Sequence, residues 1–286
     1  MPLFECVVSF LKKSVKIFAV VFTVILLILL IFGKSIFQPL LVCDTTSAAE
    51  LYADGEIKNV SLKKDDYVLF GSYLGEKILW RVIDINGDDE PLLWSEYVLT
   101  FKAFDAADAS AESSENGKFG SQNWKQSSLK IWLNSDSEKV DYIHSPSENA
   151  VTANPYENEP GFLSDVNFTE SERAKISEKN GVFILSEKEI KNYTEKSDRR
   201  KLCTDIAILN DKTQYILPSS KPVWYWTRSA STANSSCLIT VTSSGGTYRG
   251  MANDGTTGVC PALRLGESLV KCSGGDGEKA SPYVIA

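Results

Sequence analysis

Sixteen consecutive residues, Ile17 to Phe32, contain one polar side chain, Thr23, and are bracketed by Lys16 and Lys34. No other stretch constrains the chain as tightly, because such a run has to be buried in lipid or in a core. Fourteen of the sixteen are Leu, Ile, Phe or Val, each of which favours membrane insertion by about 0.3–0.6 kcal/mol. At about 1.5 Å per residue the run spans about 24 Å, and snorkelling by the flanking lysines extends it toward a ~30 Å hydrocarbon core. The pattern predicts one transmembrane helix over 17–33. A cytoplasmic segment, 1–16, precedes it; a stalk, 34–58, and an exported domain, 59–286, follow. Lys12, Lys13 and Lys16 precede the span and only Lys34 closely follows it, which sets this orientation. Two alternatives stay open. The run is long for a cleaved signal peptide, and the nearest small-residue site, "TTSAA" at 45–49, lies well past its end. "LLVC" at 40–43 hints at a lipoprotein box, although Val42 is bulky for that position.

The remaining chain is acidic. The protein has 30 basic and 37 acidic side chains; four lysines and Glu5 fall within residues 1–42, which leaves 26 against 36, or −10. Phosphate electrostatics therefore disfavour nucleic acid as a partner. No pair among the six cysteines has C-x-x-C spacing, and His144 is the only histidine, so neither a zinc site nor a His-rich metal site is indicated. No cofactor is expected. Cys203, Cys237, Cys260 and Cys272 allow three full pairings, and buried free thiols are an equal alternative.

Alternation of apolar residues through "DYVLFGSYLGEKILWRVIDING" reads as a β-hairpin, with Gly71 and Gly75 marking the turn. "PLLWSEYVL" is a further strand, and the polar stretch 105–123 a surface loop. "SSLKIWLN" at 127–134 reads as a short helix capped by Ser127 or Ser128, with Leu129, Trp132 and Leu133 on its apolar face. "GVFIL" is a brief buried strand. Capping boxes open two more helices, Thr169 with Glu172 and Ser186 with Glu189, the second stapled by Leu185 and Ile190. From 214 onward short strands return in "VWYWTRS", "CLITVTSSGGTYRGM" and "GVCPALRL". Strands, then small helices, then strands predict an α+β fold: a compact, loop-rich domain with short antiparallel sheets drawn from both ends of the chain.

Seven segments, "YVLFGSYLGEKILWRVI", "LLWSEYVL", "NWKQSSLKIWLN", "GVFILSEKEIKNY", "YWTRS", "GVCPALRL" and "GGDGEKASPYVI", occur in the order seen in the bacterial domain of unknown function 6273, which residues 60–286 resemble. The resemblance implies an exported or anchored protein. The W-x-R-S and G-V-x-P-A-L strands are also similar to the end of C-type-lectin-like domains of the formylglycine-generating-enzyme type, which implies a lectin-like fold. Two positions depart from the pattern. Cys260 stands where Arg is expected, with a Cys260 disulfide as one compensation, and Lys130 replaces Arg in the helix. The catalytic cysteine motif of that enzyme type is absent, so its oxidase chemistry is not implied.

Extended backbone at 223–231 places Trp224, Trp226 and Arg228 on one face. They either line a glycan or peptide groove or complete the core, with Arg228 paired to a buried carboxylate; packing is the stronger expectation. Tyr248, Arg249, Asn253 and Asp254, in "TYRGMANDGT", are the better candidates for contacts in C-terminal loops, against an ordinary hairpin with an Asn-Asp-Gly turn. The candidate ligand-binding set is thus Trp226, Arg228, Tyr248, Arg249, Asn253 and Asp254. The oxygens of "NGDDE" at 86–90 and "DGE" at 276–278 lack a calcium-loop pattern and read as solvated turns. Ser72 lacks nucleophile-elbow spacing, and His144 lies in a polar loop. No catalytic residue is assigned. The expected function is a non-catalytic lectin-like domain displayed outside the cell on one spanning helix, with a glycan or cell-envelope component as partner. An extracellular carbohydrate-active hydrolase and a purely structural surface protein remain the alternatives.

Overall fold

Alternating side chains on strands buried on both faces organise the domain into two cores. The computed structural model describes residues 57–105, 118–143, 146, 156, 158–211 and 220–286. The expected membrane span, the segment before it, most of the stalk, Cys6, Cys43, His144 and most of 105–123 lie outside the described residues. Among the described residues, no helix is long and apolar enough to cross a membrane.

In chain order the strands are β1 (Lys58–Ser61), β2 (Tyr67–Tyr73), β3 (Glu76–Ile85), β4 (Pro91–Ser95), β5 (Thr100–Phe101), β6 (Val182–Ile184), β7 (Tyr225–Ala230), β8 (Cys237–Val241), β9 (Thr247–Met251), β10 (Gly258–Val259), β11 (Pro261–Arg264), β12 (Leu269–Cys272) and β13 (Tyr283–Val284). Among the described residues four short α-helices accompany them: α1 (Ser128–Leu133), α2 (Glu170–Arg173), α3 (Glu187–Tyr193) and α4 (Asp205–Leu209). One sheet runs β13-β2-β3-β4-β11-β6, a second β5-β10-β7-β8-β9, and β1 pairs with β12 in a third. The α+β class and the joining of both chain ends in one sheet follow the sequence pattern. The sheets are not wholly antiparallel, however, because β13 lies parallel to β2 and β10 parallel to β7.

The six-stranded sheet divides the two cores. Leu93, Val82, Ile184 and Leu263 point into the first, while Leu92, Trp94, Phe183 and Ala262 point into the second. This period of two explains why β4 reads as an unbroken apolar run: both of its faces are covered. The first core also receives Leu129, Trp132 and Leu133 from α1, and the second receives Ile190 from α3 and Ala207 from α4.

The helices start where their caps require. Ser127 accepts from the Lys130 N–H at the head of α1, and both capping boxes close reciprocally. Leu185 and Ile190 are both buried in the second core, as the staple requires.

The β2–β3 turn sits at Leu74-Gly75 alone, with positive φ at both residues (51° and 86°), the signature of a two-residue hairpin turn. Gly71 is not in the turn. It lies within β2 at a register shift, with φ +64°, and a Cβ there would fall 2.1 Å from Phe168 Cε1. Its N–H donates to Glu172, the acid of the first capping box. The missing side chain therefore lets Phe168 and α2 close on β2.

Gly71→Ala is expected to lower unfolding stability by about 2–4 kcal/mol, since strain and overpacking coincide. Gly75→Ala, with a similar φ but nothing within 4 Å, is expected to cost only about 1 kcal/mol. Denaturant midpoints of the two variants test this, and equal losses would remove Phe168 as the cause.

Candidate functional site

Strand β7 does not alternate as the sequence suggests. Its register against β8 shifts between Trp226 and Ala230, so that the bulge reverses the side-chain order. Trp226 enters the first core, only 1% exposed, and its indole N–H donates to the Lys102 carbonyl at 2.8 Å. Arg228 turns to the other side. There it makes a fork with Glu189 of α3, with Nη2 2.6 Å from Oε1, donates to the Ile184 carbonyl and stacks 5.0 Å from the Phe183 ring. Trp226 and Arg228 thus do not share a face, and Trp226 is core rather than ligand surface.

Trp224 behaves in the opposite way. It precedes β7, is 41% exposed, and meets Tyr248 of β9, itself 59% exposed, edge to face at 5.8 Å and 70°. Cross-strand pairing explains the meeting. Trp226 lies opposite Thr240 of β8, and Thr240 lies opposite Tyr248, which puts the three on one face. Gly250, next but one along β9, has no side chain because a Cβ would lie 2.8 Å from Thr240 and 3.1 Å from the Trp226 ring. The result is an open aromatic corner on the sheet face that also carries the buried Trp226. Two rings at this angle offer π-faces to the apolar face of a sugar or to a cation.

The other expected residues sit around this corner without converging on it. Arg249 is exposed on the opposite face of β9, the face on which Thr247 donates to Glu187 of α3. Asn253 is 3% exposed and donates to the Lys118 carbonyl at 3.2 Å. Asp254 accepts from the Thr256 N–H and hydroxyl, at 2.8 and 2.7 Å. The Asn-Asp-Gly segment is not a hairpin turn, since β9 and β10 are not neighbours. It carries the chain past β8 and β7 to reach β10, whose Gly258 N–H donates to the Trp224 carbonyl at 2.9 Å.

The acidic clusters are engaged within the protein. Lys179 bridges Asp88 and Glu90, and Arg264 holds Asp84 at 2.8 Å. In the other acidic turn Asp276 accepts from the Glu278 N–H. The Ser72 hydroxyl donates to the Asn167 carbonyl at 3.0 Å. Two buried ammonium groups are similarly occupied. Lys102 pairs with Glu159 between the rings of Trp132 and Tyr156, and Lys201 lies 3.6 Å from the Trp94 ring centre and 3.6 Å from Glu96. Cys203, Cys237, Cys260 and Cys272 are buried free thiols, so no Cys260 disulfide replaces the arginine expected there. Burial pushes the thiols of Cys203 and Cys260 up to about 12 and that of Cys272 to about 11, which leaves them unreactive.

Burial raises the Glu189 carboxyl, but hydrogen bonds from Arg228 and Ser186 outweigh it and hold its pKa below the ordinary value. A depressed carboxyl stabilises the fold above its unfolded pKa, and that contribution fades as pH falls through the folded value. Glu189→Gln is therefore expected to lose roughly 1–2 kcal/mol at pH 7 and less at pH 3. Thermal unfolding at the two pH values measures the difference; equal losses would show that the charge is immaterial.

No curated protein and no solved structure matches the chain. Residues 88–267, which run from the turn before β4 through β11 and include the whole aromatic corner, match the family described as "Domain of unknown function (DUF6273)", so the chain belongs to that family.

Proposed function

We propose that this protein is anchored by one N-terminal span and displays a non-catalytic, lectin-like domain outside the cell that binds a glycan of the cell envelope. The observation that carries the reading is the Trp224–Tyr248 corner. Two large aromatic side chains held open to solvent beside a sheet, in edge-to-face contact, suit stacking on the apolar face of a sugar ring. A loop-rich arrangement of short strands with few short helices supports the lectin-like fold. The charged groups described above are spent on holding elements together, which favours binding over turnover. The apolar run with its lysine flanks supports the anchored location.

In a pull-down on purified cell-wall polysaccharide, Trp224→Ala and Tyr248→Ala are each expected to weaken retention of the full chain about tenfold, the effect of losing about 1.4 kcal/mol of stacking. Their unfolding midpoints should stay near that of the unaltered protein. Trp226→Ala should instead cost about 3–5 kcal/mol of stability. Undiminished retention of both surface variants would sink the reading, and release of soluble sugar by the unaltered chain would mark an enzyme. Protease added to intact cells is expected to remove residues beyond the span; full protection would overturn the orientation.

A further inference from the structure

A basic run, Lys196-Ser197-Asp198-Arg199-Arg200, passes beside the aromatic corner. Three contacts fix its course. The Lys201 carbonyl accepts from the Val223 N–H at 2.9 Å, one residue before Trp224. The Arg199 carbonyl accepts from the Tyr225 hydroxyl at 3.0 Å, one residue after it. The β8–β9 turn seats on the run at Gly245, where φ is +78° and a Cβ would fall 2.5 Å from the Lys196 carbonyl and 3.5 Å from both Arg199 Cβ and Arg200 Cγ. Only glycine permits that approach. The run is thereby held against the segment of Trp224 and against the turn that leads into Tyr248. Lys221, three residues before Trp224, is exposed on the same stretch of chain.

Charge separates this border from the rest of the domain. Lys196, Arg200 and Lys221 are exposed, and the Arg199 guanidinium is steadied by the Thr194 carbonyl at 2.8 Å. Among the described residues none of these four cations pairs with a carboxylate. The neighbouring acids are otherwise engaged or outnumbered. Arg81 holds Asp198 at 3.0 Å and Asp65 at 2.8 Å, and Lys191 holds Glu187, the carboxylate that reaches Thr247, at 2.6 Å. Counting Arg81 with the four cations, against Asp65, Glu195 and Asp198, the border keeps an excess of two positive charges. The sequence beyond residue 42 has ten more acidic than basic side chains, so the excess is local. Exposed guanidinium and ammonium groups without partners, beside open aromatic rings, match a ligand with a ring and a strongly negative group, and guanidinium forks suit phosphate oxygens. We infer that the glycan held at the Trp224–Tyr248 corner is a sugar phosphate, its ring on the aromatic side chains and its phosphate on Arg200, Lys196 and Lys221. This deepens the glycan reading and rests on it.

The test titrates the full-length chain with glucose 6-phosphate, glucose and inorganic phosphate, read by saturation-transfer NMR for the sugar and by phosphorus line width for the phosphate. Glucose 6-phosphate is expected to saturate with a dissociation constant of about 1 mM, and glucose and inorganic phosphate to bind about tenfold more weakly. Raising sodium chloride from about 50 to about 300 mM should weaken the sugar phosphate and leave glucose unchanged, since exposed charges are screened. Lys196→Gln with Arg200→Gln should bring glucose 6-phosphate to the affinity of glucose, and Trp224→Ala should bring it to that of inorganic phosphate. All three side chains are exposed, and unfolding midpoints confirm that the variants are folded. Glucose bound as tightly as glucose 6-phosphate, or a two-site variant that keeps its preference for the phosphate, would overturn this assignment while leaving the glycan reading in place. Inorganic phosphate bound as tightly as glucose 6-phosphate, with Trp224→Ala without effect, would instead remove the sugar from the corner and overturn both.

Discussion

The run Gly258–Arg264 is the constraint on which the two sheets depend. It leaves the five-stranded sheet as β10 and enters the six-stranded sheet as β11 without an intervening loop. Successive residues feed opposite cores: Val259 the first, Cys260 the second, Ala262 the second and Leu263 the first. A strand covered on both faces has no water for its backbone, so each N–H and C=O needs a partner within the sheets. Pro261 falls at the start of β11, where a missing N–H is tolerated. Gly258 has no side chain because a Cβ would lie 2.6 Å from Val98 and 2.9 Å from the Trp224 carbonyl. The same close approach fixes the backbone of Trp224 just before β7, beside which its ring meets Tyr248.

Buried charge adds specificity around this frame. Taking an ammonium out of water costs several kcal/mol unless a carboxylate and further contacts compensate. Lys102 finds Glu159, the rings of Trp132 and Tyr156, and Tyr73, whose hydroxyl donates to the same carboxylate at 2.6 Å. These partners come from β2, α1 and the 156–159 segment, so a single charge registers three distant stretches. Lys201 does the same in the second core, through the Ser95 carbonyl at 2.9 Å, Glu96 and Trp94. Its pKa is lowered because burial outweighs the attraction of Glu96. Where the family resemblance implies an arginine, Cys260 leaves a neutral thiol, and the buried cation in that neighbourhood belongs to Lys201.

Features that depend on three or four neighbouring residues were legible in the sequence. Thr169 with Glu172, Ser186 with Glu189, and Ser127 ahead of Leu129 and Trp132 each set a helix start through contacts inside one turn. The strand at "PLLWS" and the buried strand at "GVFIL" were legible for the same reason, since an unbroken apolar run has no polar face to expose. The candidate site was legible only in part. Tyr248 was named, but Trp224, Trp226 and Arg228 were placed together on one face with both tryptophans expected in the core, because alternation was carried through a stretch that bulges. Nothing local in "VWYWTRS" announces the bulge; it arises from pairing with β8 and from the pull of Glu189 on Arg228.

By itself the sequence determined the class of the domain, the starts of α1, α2 and α3, its apolar strands, its acidic balance and the lysine-flanked apolar run, because each follows from side chains adjacent along the chain. Tertiary structure alone decided which tryptophan is buried, where Gly71 is needed, and that β9 and β10 are separated by two strands. Those outcomes depend on residues that are distant in sequence and become neighbours only when alternate side chains from both ends of the chain compete for the same two cores.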